Sequence, residues 1–237
     1  MSLAMLKTPL DFVNDIENGK HIVLFFEEAE YARMIAFKYL EKGLQNRQQC
    51  FYITTQKEEP RFIIQELKES IVKDKGVYEN NGYIDNAIKN NIINIKSIPD
   101  LFGYDGGLDK AIKDILNIVK TPTISKMPYL QVIDNIGKSD NHNNENAKRT
   151  VLRCVHKIET EDQIMTNLKW EKEYRNTILR KELPDSSIIC TYPINNIIST
   201  IKGQSNKYSE WMSKLLEMYD AVIYANNYWK GAAFNLE

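Results

Sequence analysis

The stretch that decides the fold is HIVLFFEEAEYARMIAFKYLEKGLQNRQQCFYIT, residues 21–54. It begins with HIVLFF (His21–Phe26), a nearly unbroken apolar run that is typical of a strand covered on both faces. Apolar residues then recur at three- and four-residue spacing over residues 32–40, which predicts a helix that stops near Gly43. CFYIT, residues 50–54, is a second buried strand. This strand–helix–strand order predicts a parallel pair joined by a right-handed crossover.

The same alternation of strands and helices extends over the rest of the chain. Upstream, Thr8 and Pro9 predict a capped helix that Gly19 closes. Further strands are predicted at residues 92–95 (IINI), 129–134 (YLQVID), 187–192 (SIICTY) and 221–225 (AVIYA), and helices at residues 60–71, 108–119, 145–159, 163–181 and 211–218. We therefore predict a single domain, residues 1–237, with an α/β fold: a wound, mainly parallel sheet with helices on both faces. HIVLFF, CFYIT, YLQVID and SIICTY should be its inner strands.

Composition excludes several classes of protein. The chain has 237 residues, with 31 Lys and Arg against 32 Asp and Glu, so a strongly basic nucleic-acid surface over its whole length is excluded. No apolar run approaches the roughly 18 residues that span a bilayer, and the start lacks the apolar stretch of a signal peptide. Cys50, Cys154 and Cys190 are odd in number and widely spaced, which predicts reduced thiols rather than disulfides or a zinc signature. We expect a cytoplasmic protein that contacts neither membrane nor nucleic acid directly.

In P-loop ATPases, which also have a wound α/β sheet, the phosphate-binding loop follows the end of the first strand. A P-loop needs glycines for its backbone cradle, a lysine for the phosphates and a hydroxyl for magnesium. This chain instead continues from HIVLFF directly into Glu27, Glu28, Ala29 and Glu30. Two like charges about 4 Å apart repel by roughly 4 kcal/mol at an effective dielectric constant near 20, so these glutamates would repel a triphosphate. The sequence therefore predicts that tight ATP binding and hydrolysis are absent.

Two interpretations of these glutamates stay open. They could solvate and cap the following helix, where their charge suits the helix dipole. They could instead line a pocket for a neutral or cationic molecule. A metal that bridges them to phosphate is disfavoured, because no lysine or hydroxyl accompanies them.

The sequence resembles the MEDS domain, the methanogen/methylotroph DcmR sensory domain. The resemblance rests on residues 21–56, where His21, Glu27, Glu28 and Gly43 match a family pattern of an initial histidine, following acids and a helix that ends near glycine. WEKEYRNTIL at residues 170–179 resembles the family's glutamate-bearing helix, SIICTYPINNI its next strand, and MYDAVIYAN its final strand.

The resemblance implies a sensory or regulatory module on a RecA/KaiC-like ATPase fold without the Walker A motif. In that fold YLQVID would lie at the Walker-B strand, with Asp134 at the magnesium position. Family members are often joined to a DNA-binding helix-turn-helix or a histidine kinase, for which these 237 residues leave no room. KaiC-like relatives often form rings, so the resemblance also implies a homo-oligomer, to which the C-terminal aromatic residues would contribute.

Other candidate chemistry carries less weight. The loop with Asp140, His142 and Glu145 fits neither an EF-hand nor a zinc signature. His21 is interpreted as a buried histidine with satisfied hydrogen bonds. A cysteine nucleophile at Cys190 would need a base that the sequence does not place.

Three hypotheses follow. The first is a non-catalytic sensory domain, without cofactor or metal, that acts through a small organic ligand or a signalling protein. Its ligand would bind beyond the strand ends, at Glu27, Glu28, Asp134, Asn135 and Tyr192, because parallel strand ends share one crevice. The second is a KaiC-like ATPase with an atypical phosphate site. The third is a scaffold subunit, favoured if side chains such as Tyr31 and Tyr192 fill the crevice.

Overall fold

A computed structural model describes residues 7–46, 48–54, 60–75, 81–98, 107–119, 148–153, 161–195, 205–227 and 230–236. Seven strands in these ranges form one sheet in the order β3-β2-β4-β5-β1-β6-β7. Their bounds are β1 His21–Phe26, β2 Gln49–Thr54, β3 Ile93–Ser97, β4 Lys148–Arg153, β5 Ser187–Pro193, β6 Ala221–Asn227 and β7 Lys230–Asn235. All neighbouring pairs are parallel except β6 and β7, which are antiparallel. The predicted wound, mainly parallel α/β sheet is confirmed.

Helices cover both faces of this sheet. Their bounds are α1 Pro9–Asn14, α2 Ala29–Gln45, α3 Pro60–Lys75, α4 Asn81–Lys89, α5 Leu108–Val119, α6 Glu161–Glu173 and α7 Ser205–Leu216. A π-helical segment, Tyr174–Glu182, directly continues α6. None of the helices in the described ranges is long and apolar enough to cross a membrane.

The buried strands divide their side chains between two cores, as the period-2 alternation of a strand requires. Ile22, Leu24 and Phe26 of β1 pack with α1, α2, α3 and α4 on one face. Val23 and Phe25 pack on the other face with residues of α5, α6 and α7. All six residues of β1 are buried, which explains its unbroken apolar sequence.

The three central strands that the described residues cover lie where the sequence predicts them. β1 lies between β5 and β6, β2 between β3 and β4, and β5 between β4 and β1, so all three are inner strands. YLQVID, the fourth predicted inner strand, lies outside the described residues.

The prediction of a helix over residues 145–159 is wrong for Lys148–Arg153. This segment is β4, which pairs in parallel with β2 on one side and β5 on the other. Hydrogen bonding to two neighbours outweighs local helix propensity here, and KRTVLR carries the Thr and Val that suit a strand.

Smaller differences concern the ends of elements. α1 already ends at Asn14, and Gly19 adopts φ +76° in the later turn before β1. α2 continues past Gly43 to Gln45, since Gly43 is buried inside the helix rather than at its end. Neither α4 nor the antiparallel strand β7 was predicted from the sequence.

Candidate functional site

The predicted ligand site begins at the carboxyl end of β1, where only Glu27 and Glu28 connect the strand to α2. Both side chains are exposed. The backbone N–H of Glu27 donates to the carbonyl of Ala225 in β6, and the carbonyl of Glu28 accepts from the N–H of Ala32. The chain therefore passes from strand to helix in a tight turn rather than in a wide loop of the kind that encloses phosphates.

The carboxylates of this turn have different surroundings. Glu27 accepts a hydrogen bond from the hydroxyl of Tyr224 in β6. This hydrogen bond, together with burial, raises the pKa of Tyr224 above its ordinary value of 10.0. Glu28 holds the N-cap position of α2 through its backbone, but its side chain makes no capping hydrogen bond. The interpretation that these glutamates cap the helix is therefore wrong for the side chain of Glu28.

The other predicted ligand residues lie in different environments. Tyr192 is near the carboxyl end of β5, in register with Phe25 of β1, but its side chain is only 1% exposed. Its hydroxyl donates to Glu171 in the core instead of facing the strand ends. Asp134 and Asn135 lie outside the described residues. Tyr31 is also buried, as the scaffold hypothesis requires, yet Glu27 and Glu28 stay exposed at the same strand end.

A second group of polar side chains lies inside the core, where the sequence predicted no site. It comprises His21 of β1, Glu171 of α6 and Cys190 of β5, which are at most 1% exposed. His21 Nε2 lies 3.0 Å from Glu171 Oε2, and Cys190 Sγ lies 3.6 Å from His21 Nε2 and 3.5 Å from Glu171 Oε2. We call these three residues the His–Glu–Cys cluster.

The tautomer of His21 follows from its second contact. Nδ1 lies 3.0 Å from the carbonyl oxygen of Met218, which can only accept, so Nδ1 carries a proton. A neutral His21 therefore presents the lone pair of Nε2 to Glu171. An ionised Glu171 would place a second acceptor against it, so a proton or a metal ion must lie between the two atoms. His21 is buried, as interpreted from the sequence, and each of its ring nitrogens lies 3.0 Å from a polar atom.

Aromatic residues enclose the cluster. The ring centroids of Tyr219 and His21 lie 4.4 Å apart. The ring of Tyr174 stacks on that of Trp170, with 4.9 Å between the centroids. Burial raises the pKa of Tyr174 well above its ordinary value, and the neighbouring Cys190 and Glu171 add to the shift. The cluster is therefore held in a dry, low-dielectric environment in which charges interact strongly.

A hydrogen-bonded frame holds the backbone of His21 in place. Asp220 accepts from the His21 N–H at 2.7 Å, and the Asp220 N–H donates to the His21 carbonyl at 2.7 Å. Arg175, in the π-helical segment, donates to the other carboxylate oxygen of Asp220 at 2.8 Å. The frame thus links the segment after Glu171 to the strand that bears His21. π-Helical turns are rare and are frequent at functional sites.

The resemblance marks residues 170–179 as a glutamate-bearing helix, but the predicted ligand site does not include Glu171. Three buried residues surround Glu171 in the sequence: Asn167 four residues before it, Trp170 directly before it and Tyr174 three residues after it. The glutamate therefore lies on the buried face of its helix. A carboxylate is almost never fully buried without a partner. His21, a polar residue on an otherwise apolar strand, is the matching signal.

A cavity of about 350 Å³ lies elsewhere, near the amino ends of β1 and β6 and beside α1. Its lining includes Lys7, Asp15, Glu17 and Lys20, and Lys7 pairs with Asp15 at 2.7 Å. Both signs of charge line it, so its composition favours no single ligand class.

The comparisons with known proteins concern the fold. No family model matches the sequence, and no curated protein matches it. The structure is similar to a KaiC-like protein from Pyrococcus horikoshii OT3 at 15% identity, over 88% of this chain and 72% of that one, with a TM-score of 0.42. It is similar to the flagellar accessory protein FlaH from Methanocaldococcus jannaschii at 13% identity, over 91% and 75%, with a TM-score of 0.44. It is also similar to a solved ATPase domain at 9% identity, over 88% and 70%, with a TM-score of 0.47. These similarities describe a coarse arrangement of helices and strands and assign no activity to this protein.

Proposed function

We propose that this protein is a non-catalytic sensory or regulatory domain on a wound α/β sheet of RecA/KaiC-like type, acting through a small organic ligand or a signalling protein. One observation carries the proposal. The turn between β1 and α2, where an ATPase of this type would bind phosphates, consists of the exposed carboxylates Glu27 and Glu28.

The chemistry of this turn opposes nucleotide binding in two ways. The sequence there supplies no lysine, hydroxyl or glycine-rich backbone for a triphosphate. Glu27, Glu28 and Glu30 place negative charge where the phosphates would lie, and an exposed carboxylate pair repels an anion most at low ionic strength. The alternative of a KaiC-like ATPase with an atypical phosphate site would need donors from another segment.

The same turn supports binding of a neutral or cationic molecule. Glu28 is exposed and makes no capping hydrogen bond, so its carboxylate is available to a ligand. In this proposal Asp134 and Asn135 approach the same crevice from their own strand end. Tyr192 would contribute indirectly, since its hydroxyl is bonded to Glu171.

Calorimetry with Mg-ATP tests the exclusion of nucleotide. We expect no binding in the low micromolar range for the native protein. A Glu27→Gln/Glu28→Gln double variant separates charge repulsion from the lack of a phosphate cradle. It should still fail to bind Mg-ATP, because removing the repulsion does not create a cradle. Low micromolar binding by the native protein would contradict the proposal and favour the ATPase alternative.

Thermal-shift measurements with a panel of small amines, alcohols and carboxylic acids test the ligand class. We expect amines or alcohols to raise the melting temperature and carboxylic acids to have no effect. Glu28→Gln and Asp134→Asn should each remove the response, whereas Glu66→Gln, on α3, serves as the control and should keep it. A response that survives both site variants would place the ligand elsewhere, and the absence of any response would favour the scaffold hypothesis.

A further inference from the structure

We propose that the His–Glu–Cys cluster is a binding site for a zinc-class transition-metal ion, with His21 Nε2, Glu171 Oε2 and Cys190 Sγ as its three protein ligands. These atoms belong to three different elements, β1, α6 and β5. All three ligand atoms lie within 4.8 Å of one another. His21 lies at the amino end of β1, whereas Glu27 and Glu28 of the strand-end ligand site follow its carboxyl end. Tyr192, whose hydroxyl donates to Glu171, is the residue that the two sites share.

The distances between the ligand atoms match a tetrahedral site. With Zn–N and Zn–O near 2.0–2.1 Å and Zn–S near 2.3 Å, tetrahedral geometry separates N from O by about 3.3 Å and sulfur from either by about 3.6 Å. The cluster has 3.0 Å between Nε2 and Oε2, 3.6 Å between Sγ and Nε2, and 3.5 Å between Sγ and Oε2. To bind the metal, only the distance between His21 Nε2 and Glu171 Oε2 has to increase, by a few tenths of an ångström.

The hydrogen bonds around the cluster prepare the ligand atoms for a cation. His21 Nδ1 donates to the Met218 carbonyl, which turns the Nε2 lone pair toward Glu171 and Cys190. The other carboxylate oxygen of Glu171 accepts from the Tyr192 hydroxyl, which orients Oε2 toward His21. Metal-binding histidines and carboxylates commonly have outer hydrogen bonds of this kind, and these bonds fix the tautomer and the ring orientation.

The donor set selects the class of metal. A thiolate and an imidazole suit Zn²⁺ and related transition ions, whereas Mg²⁺ and Ca²⁺ prefer oxygen ligands. On binding, the Cys190 thiol loses its proton to solvent as the sulfur–metal bond forms. Three protein ligands leave the fourth tetrahedral position without a protein ligand, the number that catalytic zinc sites also have.

The competing possibility is that a proton alone bridges His21 and Glu171. In that case Cys190 stays a neutral thiol, which donates to Glu171 Oε2 at 3.5 Å. The two possibilities differ in one measurable respect, because only the metal site brings a thiolate into coordination.

Cobalt substitution tests the proposal directly. The purified native protein is stripped with a chelator and titrated with Co²⁺, and its absorbance is followed. We expect one Co²⁺ per chain, with a thiolate-to-cobalt charge-transfer band and the intense visible bands of a tetrahedral site. Zn²⁺ should displace the cobalt and raise the melting temperature by roughly 5–10 °C at about 100 times its dissociation constant.

Matched variants assign the site. Cys190→Ser and Glu171→Gln should lose the charge-transfer band and weaken metal binding at least 10-fold. Cys50→Ser and Glu41→Gln should keep the band and the metal affinity, since Cys50 and Glu41 are also buried but make no contact with the cluster. Far-UV circular dichroism identifies variants that fail to fold, and Glu171→Gln keeps the test open if Cys190→Ser does. A native protein that binds no Co²⁺ or Zn²⁺, or a band that persists in both site variants, would overturn the proposal.

Discussion

His21 and Glu171 are 150 residues apart in the sequence, yet Nε2 of one and Oε2 of the other lie 3.0 Å apart with both side chains only 1% exposed. The contact joins the first strand of the sheet to a helix on one face of it. Because a buried ionisable group without its partner is costly, this contact should contribute to both stability and specificity of packing.

Removing one partner of this pair should strongly destabilise the protein. Glu171→Ala leaves the Tyr192 hydroxyl and the Cys190 thiol without their acceptor and His21 Nε2 without its polar partner. We expect a loss of about 3–5 kcal/mol in the free energy of unfolding. Urea denaturation in the presence of a chelator measures this loss without a metal contribution.

Glu41→Ala is the matched control for that experiment. Glu41 is also buried, but its ionic partner Lys38, at 3.2 Å, is partly exposed and can turn to water. We therefore expect a clearly smaller loss. Equal losses in the two variants would mean that the cluster has no special energetic role.

The close approach of β7 to β6 predicts a second difference between matched variants. A Cβ at Gly231 would lie 2.7 Å from the Tyr224 carbonyl oxygen and 2.8 Å from Pro9 Cγ. Gly231→Ala should therefore destabilise the protein by about 1–3 kcal/mol through overpacking. A Cβ at Gly82, in α4, meets nothing within 4 Å, so Gly82→Ala should be neutral or stabilising by up to about 1 kcal/mol. Thermal unfolding of both variants provides the comparison, and a stable Gly231→Ala protein would contradict this packing.

The elements that the sequence predicted well are those with a strong local pattern. β1, β2 and β5 are buried on both faces and flanked by turn residues, so their apolar runs identified them almost to the residue. β4 was missed because KRTVLR has no such run and is specified by pairing with β2 and β5, which sequence spacing does not reveal.

The candidate site was predictable in its parts but not in its assembly. The acidic turn at Glu27 and Glu28 is contiguous, so its chemistry could be predicted directly from the sequence. The His–Glu–Cys cluster depends on how α6 crosses the sheet over β1 and β5, and no local pattern contains that crossing angle. Residues 21, 171 and 190 could each be noted as unusual, but only the packed structure brings them together.

The N-cap of α2 offers a test of whether Glu28 is retained for stability. Its side chain makes no capping hydrogen bond, and serine is among the residues that cap best. Glu28→Ser should therefore raise the free energy of unfolding by about 0.5–2 kcal/mol, measured by urea denaturation. Thr8→Ala is the contrasting variant, because Thr8 does accept from the Asp11 N–H, and it should lower the stability. A destabilised Glu28→Ser protein would mean that Glu28 supports the fold in another way.

The Tyr224–Glu27 hydrogen bond predicts a pH dependence that reports on the strand-end turn. The pKa of Tyr224 is raised because its hydroxyl donates to the Glu27 carboxylate, with smaller contributions from burial and from the charge of Glu27. For an acid with a raised pKa in the folded state, the stabilisation is present below the unfolded value near 10 and is lost as the pH rises through the folded value. Glu27→Gln should therefore shift the Tyr224 titration down toward 10.0.

The tyrosinate absorbance, taken as the difference between each protein and its Tyr224→Phe counterpart, measures the shift. Glu28→Gln is the control and should leave the titration nearly unchanged, since Glu28 does not bond to Tyr224. If Glu27→Gln and Glu28→Gln titrate alike, the hydrogen bond is not what holds the proton on Tyr224.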